Sequence, residues 1–147
     1  MGPEFMIKRR SGRAEFRQVD LKHMPDDLCE VTVELGRRLG SDIHQTYVGK
    51  ADCESPIGEL RCTAAAALKA LEKSFECDEG TFVVLDLKTI ESFDGPAILV
   101  AVSARHTNVP QRLVGFCEVK EDPRTAAVKA TLNGTNRYVW YHFEAGS

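Results

Sequence analysis

The chain has 147 residues, of which 43% are hydrophobic, 28% charged and 7% aromatic, with a formal net charge of −3. That is the make-up of one ordinary soluble domain, and it argues against a membrane protein, a disulfide miniprotein and a disordered tail. No apolar run approaches the about 20 residues of a spanning helix, no signal-peptide pattern opens the chain, and the acidic balance offers no general attraction to nucleic acid or anionic membrane, so the expected compartment is the cytoplasm.

Residues 1–5 (Met-Gly-Pro-Glu-Phe) ahead of Met6 read as a cloning scar. Residues 6–20 follow as a basic N-terminal arm carrying Lys8, Arg9, Arg10, Arg13 and Arg17, without aromatic interleaving or a helical stripe. Residues 21–147 are expected to form a single α/β domain interrupted by an insertion at 36–58.

Within that domain, residues 30–35 alternate apolar and polar, as in a strand. The stretch 36–58 holds four glycines and several charges, including Asp42, His44, Tyr47, Lys50, Asp52 and Glu54, and is expected to be a long polar loop with one edge strand near 43–48. A polar loop on a rigid sheet is a second candidate recognition element. Residues 58–76 carry an apolar stripe at helical spacing through Leu60, Ala64, Leu68, Leu71 and Phe75. Residues 81–87 are almost continuously apolar, the pattern of a strand covered on both faces.

Residues 97–104 are apolar all round, and periodicity leaves helix and strand open. Asp94 ahead of Gly95-Pro96 resembles a helix start, with Asp as cap and Pro in the first turn, so a helix is expected there. A strand follows at 112–118, then a short helix at 124–132 started by Asp122-Pro123 and stopped by Asn133-Gly134. The aromatic and β-branched run 137–143 reads as a final strand. This order predicts an α/β fold with a mixed, largely parallel sheet and flanking helices.

The segment 82–99 (FVVLDLKTIESFDGPAIL), together with Arg112-Leu-Val-Gly-Phe, resembles the STAS domain of bacterial anti-sigma factor antagonists. The resemblance implies a STAS-like fold and a non-catalytic protein-interaction role in a partner-switching regulatory system. Its partner would be a kinase, an anti-sigma-like factor or a larger signalling complex, with a homodimer left open and neither nucleic acid nor membrane involved. In that family a turn at the start of a helix carries an Asp and a phosphorylated serine. Asp94 falls on the Asp, but Gly95 and Pro96 occupy the serine positions and have no hydroxyl. A constitutive docking loop of Thr89, Glu91, Ser92, Asp94, Gly95 and Pro96 is therefore expected, with Ser92 and Thr89, upstream in the same loop, as the candidate substitute phosphorylation sites.

The enzymatic alternative is a receiver-like phosphoacceptor or a small enzyme using Asp86 with Glu91 and Asp94. It lacks the acidic pair that holds magnesium in receivers, the four histidines are dispersed, and no nucleophile elbow or phosphate loop occurs. Neither a cofactor nor a catalytic residue is expected. The five cysteines are odd in number and contain no Cys-x-x-Cys. A zinc site of Cys53, Cys62, Cys77 and His44 is disfavoured against reduced, half-buried thiols.

Overall fold

The computed structural model describes residues 13–39, 44–54 and 58–144. Its elements are β1 (Glu15–His23), β2 (Leu28–Arg38), β3 (His44–Glu54), α1 (Glu59–Ser74), β4 (Phe82–Ser92), β5 (Gly95–Ala104), β6 (Gln111–Glu118) and α2 (Pro123–Val139), closed by a π-helical turn, Trp140–Glu144. The chain thus runs twice through strand-strand-strand-helix. Each unit makes its own three-stranded antiparallel sheet, β1-β2-β3 and β4-β5-β6.

This corrects the expected α/β architecture: the sheets are antiparallel, not a largely parallel STAS-like sheet. The decisive error lies at residues 97–104. Ile98, Val100 and Val102 are β-branched at every second position, which disfavours a helix and suits a strand. Asp94-Gly95 between apolar runs is a hairpin signal as well as a cap signal, and here β4 and β5 pair directly from Ser92–Gly95 back to Phe82–Ala104.

The insertion at 36–58 is also mostly regular, since β2 runs on to Arg38 and β3 pairs along its whole length. Its inward positions, Gly49, Ala51 and Cys53, are small, so the alternation is faint in sequence. Asp42 lies outside the described residues, as do residues 1–12, which hold the scar and most of the basic arm. The rest of the arm enters β1, where a bulge between Phe16 and Gln18 breaks the period of two that would have revealed it.

Each helix packs on its own sheet and against the other helix, and also touches the first strand of the other unit. Both are consequently buried nearly all round and rich in small side chains, with Ala64, Ala66, Ala67 and Ala70 in α1 and Ala126, Ala127 and Ala130 in α2. Leu35, Leu68, Leu71, Ile98, Val100 and Val128 complete one core shared by the two units. The two strand glycines mark the repeat. A Cβ on Gly49 would collide with the Ala66 carbonyl of α1, and one on Gly115 with the Ala130 carbonyl of α2.

Gly134 meets Gly115 from the helix side, where an added Cβ would stand 2.8 Å from the Gly115 nitrogen. Asn133-Gly134 therefore does not stop the helix; it lets α2 approach β6. The helix continues through Tyr138 and Val139, whose burial overrides their strand propensity.

Glu72 is 5% exposed, and its carboxylate accepts the Phe82 N–H at 2.9 Å, tying the end of α1 to the start of β4. Burial pushes its pKa up against the opposing hydrogen bonds from the Phe82 and Gly80 backbones. The folded chain then holds this proton above the unfolded value of about 4.3, so the group costs stability as pH rises through that window. Glu72→Gln keeps an acceptor for Phe82 and removes the cost. Its urea midpoint relative to wild type should climb as pH rises above the unfolded carboxyl value of about 4.3, whereas a constant difference would contradict the assignment.

Candidate docking surface

Thr89, Glu91, Ser92, Asp94, Gly95 and Pro96 do come together, but on a β-hairpin and not at a helix start. Glu91 pairs with Pro96 and Ser92 with Gly95, leaving Phe93-Asp94 as a two-residue turn. Asp94 accordingly caps no helix; it lies exposed at the tip. Gly95 has φ +122° with open space around it, a backbone conformation that closes the turn and that glycine adopts without strain. The Ser92 hydroxyl donates to the Gly95 carbonyl at 3.0 Å, a local turn bond. Thr89 is exposed.

Phe93, which no motif in the sequence singles out, is fully exposed on the same turn. An aromatic side chain held in water by a tight hairpin, with no core to reach, is the least expected feature of a solvated loop. The tip adjoins the face of the second sheet that points away from the helices. Leu99, Val114 and Phe116 lie on that face, the last two 55% and 41% exposed, among the small side chains of Ala97, Ala101 and Ser103.

The corresponding face of the first sheet is built quite differently. It presents Asp20, Lys22, Glu30, Glu34, Lys50 and Asp52, the ordinary polar outside of an antiparallel sheet. The signal was present in the sequence, because residues 82–87 and 97–104 are apolar at both parities. In the structure only one face of these strands is covered by helices of the described residues.

Asp86 follows a bulge between Val84 and Asp86, within β4 and not at its end. Arg61 lies 4.0 Å from it and donates to the Val84 and Leu85 carbonyls, so the pair clamps the bulge to α1. Glu91 and Asp94 stand further along the hairpin. No group of three His, Cys, Asp or Glu able to hold a metal occurs among the described residues.

The cysteines correct a second expectation. Opposite one another in the β2–β3 register, Cys29 and Cys53 form a disulfide with a Cα–Cα separation of 5.3 Å. The pairing was invisible because it depends on the hairpin register, not on spacing along the chain. It also removes Cys53 from the zinc set considered above. Burial, the largest cause, pushes the Cys62 thiol up to about 11 and that of Cys77 up to about 12, so neither is a thiolate nucleophile at neutral pH.

Two of the dispersed histidines also meet. The rings of His106 and His142 lie 5.7 Å apart, and that of His142, within the π-helical turn, packs 4.1 Å from Tyr138. No family model matches the chain, and no curated protein matches it.

Proposed function

We propose that the chain is a non-catalytic protein-interaction module of a bacterial regulatory system, with the β4–β5 hairpin as a constitutive docking element. The observation that carries this reading is Phe93, fully exposed on a two-residue turn beside Asp94. An aromatic anchor next to a charge, mounted on a rigid hairpin, is a common composition for the centre of a protein interface. Gly95 and Pro96 supply no hydroxyl to phosphorylate, and the Ser92 hydroxyl is engaged within its own turn.

The partner on this reading is a protein, of the kinase or anti-sigma-like kind or a larger signalling complex. Phe93→Asp and Asp94→Lys should each reduce capture of that partner from native lysate at least about tenfold, with unchanged circular dichroism, since loss of an interface anchor costs upward of about 2 kcal/mol. Undiminished capture by both variants would overturn the docking role. Phosphate found on Ser92 or Thr89 in protein isolated from its host would overturn the constitutive part.

Cytoplasmic residence belongs to the same proposal, and it accords with there being no described helix long and apolar enough to cross a membrane. In a reducing cytoplasm Cys29 and Cys53 would stand as thiols. Trapping their redox state in intact cells tests the compartment directly: a protected disulfide there would contradict it.

A further inference from the structure

The outer face of the second sheet, unlike that of the first, needs a cover, and its register indicates what the cover is. Side chains on this face stand in four rows across β4, β5 and β6. The central rows are Lys88, Leu99, Phe116 and Asp86, Ala101, Val114; the outer rows end in Glu118 on one side and Arg112 on the other. Consider a two-fold axis lying in the plane of this face, across the strands, between the two central rows. It lays the sheet on a copy of itself with the strands reversed.

Glu118 then meets Arg112 of the second copy, and Lys88 meets Asp86. Phe116 lies over Val114, Ile90 over Val83, and Leu99 of each copy over the small Ala101 of the other. Asp86 is already held by Arg61 of its own chain at 4.0 Å, so the contact rests on Glu118 with Arg112, while Leu99, the bulkiest side chain that β5 puts on this face, finds a hollow. An axis along the strands instead sets Glu118 over Ile90 and Arg112 over Val83, burying charge against apolar surface at a cost. Neither Glu118 nor Arg112 makes an ion pair within its own chain among the described residues.

We infer that the outer face of β4-β5-β6 is a self-complementary interface through which two copies of this chain form a two-fold dimer. Opposed sheets pack about 10 Å apart with strands within about 30° of alignment, which a slight tilt of the axis satisfies. Such a contact is isologous, the commonest arrangement of homodimers. Three strands about 4.8 Å apart and four rows about 6.8 Å apart give a footprint on the order of 400 Å² per copy. That is below the roughly 800 Å² per partner of a standard stable interface, so the dimer is a weak one that forms and dissociates with concentration. The inference rests on the sheet face and not on the hairpin tip, so it stands or falls separately from the docking proposal.

Sedimentation velocity of the full chain from about 5 to about 500 μM should show monomer giving way to dimer, as expected for a weak interface. Glu118→Arg and Arg112→Glu each place like charges opposite one another twice per dimer, and each should weaken association at least about tenfold. Glu118→Arg combined with Arg112→Glu restores opposite charges and should recover the dimer. A wild-type chain that stays monomeric throughout, single variants that dimerise like wild type, or a double variant that remains as weak as the singles would overturn the assignment. All the substituted positions are on the outer face of an intact sheet, and circular dichroism of each variant separates loss of association from loss of fold.

Discussion

Gly115→Val is expected to unfold the chain at room temperature or to leave it with only a small part of its stability. A Cβ at this position collides with the Ala130 carbonyl and lies 2.7 Å from the Gly134 nitrogen. Both obstacles are helix backbone, so no side chain can rotate away to make room. Relief requires α2 to lift from β6, which would open the packing of Val128, Ala130 and Leu132 in the shared core. Overpacking ordinarily costs about 1–3 kcal/mol; with rigid backbone as the obstacle and three added carbons, a loss above about 3 kcal/mol is expected, out of a typical domain stability of about 5–15 kcal/mol.

Gly58→Ala provides the contrast, because its Cβ would find its nearest neighbour at 3.3 Å, a contact relieved by a few tenths of an ångström. Urea denaturation should separate the two variants widely. Equal midpoints would show that the strand-glycine contacts do not define the two units.

The second large effect belongs to the disulfide. Cys29 and Cys53 are 24 positions apart in sequence and join neighbouring strands of the first sheet. Closing a loop of that size removes denatured-state entropy worth about 2–4 kcal/mol. Reduction should therefore lower the unfolding free energy of the wild-type chain, extrapolated from urea denaturation, by about 2–4 kcal/mol. Cys29→Ala combined with Cys53→Ala should match the reduced protein and respond no further to reductant. A wild-type midpoint indifferent to reductant would contradict the bond's contribution.

Much of the element order is legible from residue pattern. The α1 stripe, the β4 run, β6 and the Asp122-Pro123 start of α2 follow from local chemistry, and at α2 the Asp122 carboxylate accepts the Arg124 N–H at 3.2 Å as a cap should. The sheet architecture was not legible, because one ambiguous segment decided it. With residues 97–104 taken as a helix, β4 and β6 become parallel neighbours; as strand β5 they become the two edges of an antiparallel sheet.

At the hairpin, the six residues expected to dock share one local feature, yet through a turn and not a helix cap. Phe93 carries no signal in the sequence, because capping and phosphorylation chemistry are read from polar side chains. The apolar outer face is visible as unbroken hydrophobicity in residues 81–87, the pattern of a strand covered on both faces, and in 97–104, where Asp94-Gly95-Pro96 favours a helix. The same pattern is produced by a sheet with helices on one side and a protein on the other.

The claim that most needs testing is that this outer face is covered by a second copy. Amide and methyl spectra recorded through a dilution series locate the contact residue by residue. Signals of Lys88, Leu99, Phe116 and Glu118 should shift together with concentration, while those of Thr32, Glu34 and Lys50 on the outer face of the first sheet stay fixed. Shifts confined to the first sheet, or none anywhere up to the highest concentration reached, would contradict the account.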